Sequence, residues 1–312
     1  MRSDPSDEPR VAVLVPCYNE AATVARVVRD FRAALPSAEI WVFDNNSTDG
    51  TADLARAAGA FVRREERKGK GNVVRRMFAD VEADLYVMVD GDATYDATAA
   101  PRLISMALEG GYDMVNVARL ETGEKAYRPG HRFGNRLLTG LVGRVFGTRT
   151  TDMLSGYKLF TRRFVKTFPA VSTGFEIEAE LMIHALELGI PIAEISAPYG
   201  ERPADSASKL QTWRDGFLIL RLIGALIRRE RPLEFFSLAG AALALVSLIL
   251  GLPVILEFRE TGLVPRLPTA VLSAAIMLAA FLSFAVGLML EAVAYSRREM
   301  KRLAYLGVPP RP

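Results

Sequence analysis

The chain has 312 residues, of which 50% are hydrophobic, enough for one large domain and an appendage. Its 39 Lys and Arg against 36 Asp and Glu leave a net charge of +3 that is not gathered into a tail, so nucleic acid is not an expected partner. A single cysteine, Cys17, excludes an internal disulfide, and the polar stretch Met1 to Arg10 lacks the apolar segment of a cleaved signal peptide.

After a polar tail over residues 1–9, Arg10 to Val15 reads as a buried strand stopped by Pro16, with Cys17 as a small residue at its end. Ala21 to Leu35 follows with helical periodicity. Ile40-Trp41-Val42-Phe43 is a second strand, closed by the turn-rich run Asp44-Asn45-Asn46-Ser47-Thr48-Asp49-Gly50-Thr51, where Ser47, Thr48 or Asp49 can cap the helix that carries Ala52 to Ala58. Ala60-Phe61-Val62 is a short third strand, and Lys68-Gly69-Lys70-Gly71 leads into a helix through Ala79. Leu85-Tyr86-Val87-Met88-Val89 is a fourth strand, ending in two carboxylates one residue apart, Asp90 and Asp92. Asp113 to Val117 is a fifth. Strand and helix alternate throughout, which predicts an α/β domain: a mostly parallel sheet with helices on both faces. Ligands of such sheets collect beyond the carboxyl ends of the strands, where Asp90 and Asp92 suit a hard divalent cation and a phosphorylated ligand.

Beyond this domain (10–208), residues 209–232 read as an amphipathic helix able to lie at a membrane interface. Trp213, Phe217, Leu220 and Ile227 share one face, with Arg214, Arg221 and Arg228 repeating every seven residues beside them. A second candidate of this kind, equally able to be domain core, spans His131 to Phe146. Between Glu234 and Glu257 22 residues carry no charge, and between Arg266 and Glu291 24 do not. At 1.5 Å per residue these make helices of about 33 and 36 Å, long enough to span a bilayer of about 30 Å, so 233–296 is expected to be a two-helix transmembrane hairpin. Arg228, Arg229 and Arg231 before it and Arg297, Arg298, Lys301 and Arg302 after it place both outer ends, including a basic tail at 297–312, in the cytosol by the positive-inside rule.

Pro16-Cys17-Tyr18-Asn19-Glu20, Asp44 to Thr51 and Asp90-Gly91-Asp92, in this order and spacing, resemble the nucleotide-sugar-binding half of an inverting family 2 glycosyltransferase with a GT-A (Rossmann-like) fold. Asp152-Met153-Leu154-Ser155-Gly156-Tyr157-Lys158-Leu159-Phe160 is similar to a segment of the polyprenyl-phosphate glycosyltransferases, the dolichyl-phosphate-mannose-synthase-like branch.

The resemblance implies transfer of one sugar from a UDP- or GDP-linked donor to a polyprenyl phosphate at the cytosolic membrane face, with Mg²⁺ or Mn²⁺ held by Asp90 and Asp92. Thr94 stands where relatives often have a metal-contacting Gln. Pro16, Tyr18, Glu20, Asp44, Asn45 and Lys70 would line the donor site, with backbone N–H groups near Lys70 helping to hold the diphosphate. Arg119, Arg132, Arg202, Ser208 and Lys209 would meet the acceptor phosphate. Asp152 occupies the region where a base is proposed in such enzymes, and could instead orient Arg119 or Lys158. Glu176 and Glu180 read as an i,i+4 pair of helix-face or positioning residues, and His184 as helix packing. The competing readings are a glycolipid synthase acting on a diacylglycerol or ceramide hydroxyl, which would need a base, and a non-catalytic binding module on the same fold. A homo-oligomer is left open.

Overall fold

The computed structural model describes residues 9–121, 139–140, 142–143, 150–200, 228 and 231–309. The chain divides into two compact units, Met1–Ile219 with Lys301–Pro312, and Leu220–Met300.

In the first unit, β1 (Val11–Cys17), β2 (Glu39–Asp44), β3 (Phe61–Arg64) and β4 (Leu85–Met88) alternate with α1 (Val24–Ala34), α2 (Thr51–Ala57) and α3 (Lys70–Asp80). Then come α4 (Ala100–Glu109), β5 (Met114–Glu121), β6 (Lys158–Thr161), α5 (Arg162–Thr167), α6 (Ile177–Leu188) and β7 (Ile192–Tyr199). Among the described residues the strands form one seven-stranded sheet in the order β3-β2-β1-β4-β6-β5-β7. β6 alone runs antiparallel to its neighbours β4 and β5, so the sheet is mostly parallel, as the alternation of elements predicts.

Both faces of the sheet are covered, which is why its strands read as continuous apolar runs. On one side Val13, Val15 and Cys17 of β1 and Leu85 and Val87 of β4 meet Val24, Val27, Val28 and Phe31 of α1, which recur at the 3, 4 and 7 spacing of a helical stripe. On the other, the ring of Phe78 from α3 stands edge-on to Tyr86, Phe160 and Phe168 at 6.2, 5.8 and 6.0 Å. His184 of α6 packs edge-on to Phe164 and Phe168, both at 5.3 Å, the packing role expected of it.

Several boundaries differ from the sequence reading. Pro16 does not stop β1, which runs on through it to Cys17 because both residues stay in register with Phe43 and Asp44 of β2. β3 occupies Phe61–Arg64 rather than Ala60–Val62, because Trp41 stacks on Phe61 and Asp44 pairs with Arg64 across the ladder. The fifth strand continues to Glu121 because β7 pairs with it over its whole length, so Arg119 lies within the strand and not after it. The N-cap of α2 is Gly50, in the left-handed region at φ 85°. None of Ser47, Thr48 and Asp49 caps it in the ordinary way, although the Asp49 carboxylate accepts from the Thr51 N–H at 3.1 Å.

Chain order places a gap of consequence beside β1. The chain goes outward from β1 to β2 and β3, then returns to β4 on the opposite flank of β1, so the carboxyl ends of β1 and β4 flank the point where strand order reverses.

The second unit is built on α7 (Pro232–Thr261) and α8 (Leu267–Gly307), with mean hydropathies of 2.5 and 2.4 in their most apolar stretches, both long and apolar enough to cross a membrane. Gly240, Ser247 and Val254 of α7 and Ser273, Ala280, Gly287 and Ala294 of α8 are buried at intervals of seven, the repeat of a coiled-coil seam made here from small residues. A Cβ on Gly240 would lie 3.0 Å from the Ala280 carbonyl oxygen, and the Ser247 hydroxyl donates to the Ser273 carbonyl at 2.7 Å. Outward-facing Leu238, Leu245 and Met289 are mostly exposed. α8 does not stop where the basic tail begins at Arg297: it stays helical to Gly307.

Candidate active site

A cavity of about 350 Å³ opens at the reversal point, lined by Pro16, Tyr18, Glu20, Asn45, Lys70, Asp90 and Asp92, and by Phe175. The structure thus brings together seven of the residues singled out from the sequence. Asp44 is buried at the end of β2, where its carboxylate accepts from the Ser47 N–H at 3.2 Å. Arg132, Arg202, Ser208 and Lys209, like nearly all of the 209–232 segment, lie outside the described residues.

Local packing explains the Asp-Gly-Asp pattern. A Cβ on Gly91 would come within 2.5 Å of the Cys17 sulfur, so only glycine lets the turn after β4 close against the end of β1. Asp92 is 2% exposed, and its Oδ1 accepts from the Thr94 hydroxyl at 2.5 Å and the Thr94 N–H at 3.2 Å. Thr94 therefore orients the carboxylate. Asp90 rests on Gly156, where a Cβ would stand 2.1 Å from Asp90 Oδ2. Among the described residues no three His, Cys, Asp or Glu side chains cluster as a closed metal cage. Two hard carboxylates at one cavity wall do fit Mg²⁺ or Mn²⁺, which are commonly bound through one or two carboxylates, with phosphate oxygens and water completing the shell.

Lys70 is held by charge. Its ammonium donates to Asp90 Oδ1 and to Glu178 Oε1. Burial would lower its pKa, but the Asp90 and Glu178 charges outweigh this and hold it above the ordinary lysine range. Both flanking glycines are required by the same neighbour: a Cβ on Gly69 would lie 2.2 Å from the Thr173 carbonyl oxygen, and one on Gly71 2.0 Å from that of Ser172. Two of the N–H groups near Lys70, expected from the sequence to help hold a diphosphate, are engaged within the protein. Gly71 N–H donates to Thr173 O at 3.0 Å and Gly69 N–H to Asn45 Oδ1 at 2.8 Å. Asn45 spends its amide donors in the same way, on the Glu65 and Arg67 carbonyls at 2.9 and 2.8 Å. It lines the cavity and ties β2 to the Lys70 loop.

A second cluster stands apart from these lining residues. Arg119 Nε and Nη2 reach the Asp152 carboxylate at 2.6 and 2.8 Å, the bidentate fork of a strong ion pair. Burial raises the Asp152 pKa, yet the Arg119 hydrogen bonds and charge bring it below the ordinary carboxylate range. The guanidinium lies 5.5 Å from the Tyr199 ring centre, and Tyr199 stands edge-on to Tyr95 at 5.1 Å. Tyr95 in turn accepts from the Gly156 N–H at 2.8 Å, so one chain of contacts runs from Arg119 to the glycine beneath Asp90. The segment before Asp152 is fastened by Glu194, which accepts from Thr151 N–H at 2.9 Å and from the Asn116 amide at 2.8 Å. Lys158 is wholly buried and donates to the Ser155 and Met153 carbonyls, not to Asp152. Burial lowers its pKa to about 8 against the raising effect of Glu178 and Asp152.

A sequence profile described as glycosyl transferase family 2 matches residues 12–168, half of the chain and, but for Val11, all of β1 through α5. The chain belongs to glycosyl transferase family 2. Among its relatives, the glycosyltransferase AglJ of Haloferax volcanii is 36% identical over 254 residues, covering 80% of this chain and 82% of the relative. The dolichyl-phosphate hexose transferase of the same organism is 29% identical over 223 residues, covering 71% and 95%. In fold, this family 2 chain is similar to glucosyl-3-phosphoglycerate synthase of Mycobacterium tuberculosis, solved with Mn²⁺, UDP and glucosyl-3-phosphoglycerate, at a TM-score of 0.55 and 24% identity over 70% of this chain and 79% of that one. Membership of family 2 and the fold, both read from the sequence, stand on these matches, and the name of the dolichyl-phosphate hexose transferase is consistent with the polyprenyl-phosphate branch.

Glu178, Tyr95 and Tyr199 escaped the sequence reading. The i,i+4 spacing drew attention to Glu176 and Glu180, while Glu178, midway between them, is the buried acid that reaches Lys70. Glu180 does position: it accepts from the N–H groups of Val171 and Ser172 at 3.0 and 2.7 Å, steadying the loop that packs on Gly69 and Gly71.

Proposed function

We propose that this family 2 glycosyltransferase moves a single sugar, with inversion, from a nucleoside-diphosphate sugar to a polyprenyl phosphate at the cytosolic face of a membrane. The observation that carries the reading is the cavity at the sheet's reversal point, where two adjacent-but-one carboxylates and a buried ammonium meet, in a chain that also has two membrane-length helices. Carboxylates with a cation suit a diphosphate, and Lys70 adds a fixed positive charge at the same wall. A divalent cation on Asp90 and Asp92 would supply Lewis-acid stabilisation of the departing diphosphate. Tyr18 and Phe175 line the cavity and are partly exposed, offering aromatic surfaces for the donor.

The acceptor's demands are met without a base. A phosphate monoester has a second pKa of about 6 and is mostly dianionic at pH 7, so it needs orientation and not deprotonation. Asp152, gripped by Arg119 and held acidic, is a poor proton acceptor and a good anchor. In this reading Arg119 receives the phosphate and Asp152 aims it. The bilayer supplies the lipid acceptor, and the arginines of 209–232 meet its headgroups. The relative named as a dolichyl-phosphate hexose transferase supports an acceptor of this class.

The reading is tested with membranes containing the protein, radiolabelled UDP- and GDP-sugars, polyprenyl phosphate and Mn²⁺. Label should pass into the organic phase as a lipid-phosphate-linked monosaccharide and depend on Asp92. Transfer to diacylglycerol or ceramide instead, or none across a broad donor panel, would overturn it.

A further inference from the structure

The Lys70 ammonium is shared between Asp90 of the Asp-Gly-Asp turn and Glu178 in the first turn of α6. The three side chains are 8, 26 and 9% exposed, so their charges act on one another with little screening by water. Asp90 then has two claimants, since an ammonium on its oxygen lowers the negative charge it can offer a divalent cation. Glu178 is a second acid on the same ammonium, reached from a different element more than a hundred residues away. It lets Lys70 keep a partner and its place in the cavity wall without drawing wholly on Asp90.

We propose that Glu178 is a positioning residue for the cation site: it holds the Lys70 ammonium so that Asp90 remains available to a divalent metal ion, and Lys70 and the metal ion compete for Asp90. The inference rests on the reading of Asp90 and Asp92 as the metal-binding carboxylates. Within the group formed by Lys70, Asp90, Asp92 and Glu178, one ammonium against three carboxylates leaves two negative charges. Glu178→Gln removes one of them and leaves Lys70 with Asp90 alone. Lys70→Met adds one and frees Asp90 of its competitor.

The two substitutions therefore move metal affinity in opposite directions, which a purely structural Glu178 would not produce. Full-length protein in detergent is titrated with Mn²⁺ alone, free Mn²⁺ being followed by its electron paramagnetic resonance signal. Glu178→Gln should weaken binding at least about tenfold and Lys70→Met tighten it at least about tenfold, each equivalent to roughly 1.4 kcal/mol. Lys70→Met carries the test if Glu178→Gln does not fold. Affinity within twofold of wild type in the folded variants, or the same direction of change in both, overturns the inference. Asp92→Asn separates the two levels of argument. If it abolishes Mn²⁺ binding while Glu178→Gln leaves it unchanged, only the role of Glu178 falls; if it leaves Mn²⁺ binding unchanged, the site reading falls with it.

Discussion

Gly156 shows how strictly single atoms are set at this site. Its missing side chain is the floor on which Asp90 rests, and Gly156→Ala would drive a methyl group into the carboxylate. Because misplacement of a reacting group by about 1 Å can cost about 100-fold in rate, Gly156→Ala should lower kcat/KM by about that factor. Its far-ultraviolet circular dichroism should match wild type, and a variant with full turnover would show that Asp90 needs no such floor. Asp152 yields to a sharper comparison. If it aims Arg119, Asp152→Asn keeps the shape, loosens the guanidinium and raises the KM for polyprenyl phosphate about tenfold or more with a small change in kcat. Were it the base, kcat would collapse at saturating acceptor. Steady-state kinetics with varied polyprenyl phosphate decide between them.

Among the packed elements, α6 holds the most telling side chains on its inner face. His184 sits between Phe164 and Phe168, and burial, with the nearby Lys301 charge, lowers its pKa to about 3. It is therefore neutral in the fold between about pH 3 and 6.5, where it would carry a proton in the unfolded chain. Between these values the unfolded state binds the extra proton, so the stability this residue contributes is whole above pH 6.5 and is lost as pH falls from 6.5 toward 3. His184→Phe should flatten that part of the acid limb in melting temperature against pH, leaving only the slope due to carboxylates. An unchanged slope between pH 6.5 and 4.5 would show that the ring is protonated in the fold. The same helix offers Glu187 to Lys301, beyond which Tyr305 donates to Asp113 and Arg163 to the Val308 carbonyl at 3.0 Å. The basic tail is thus bonded into the first unit, an arrangement no charge count announces.

The full chain joins a water-compatible α/β unit to a pair of helices whose outward leucines and methionines would be costly in water. By the positive-inside rule, the connector between α7 and α8 is expected on the non-cytosolic side of the membrane. Because Cys17 is 2% exposed, it leaves a nearly silent background for thiol labelling. Gly262→Cys, in the connector, should react with a membrane-impermeant maleimide added to intact cells, whereas Glu66→Cys, in the catalytic unit, should react only after lysis. The reverse pattern would invert the topology and remove the cytosolic placement from the proposed function.

Repeating patterns were legible in the residues alone: alternating apolar runs and helical stripes for the α/β unit, long uncharged stretches for α7 and α8, and the ordered Pro16, Asp44 and Asp90 segments for the family. Each depends on neighbours within a few residues, where periodicity and turn chemistry act directly. What the order of residues did not disclose was which distant groups would meet. Glu178 against Lys70, Gly156 beneath Asp90 and Thr173 pressed onto Gly69 all join segments far apart in the chain. Such meetings follow from strand order, including the antiparallel β6 that carries the Gly156 segment back beside β4, and burial then gives the resulting charges and contacts their strength.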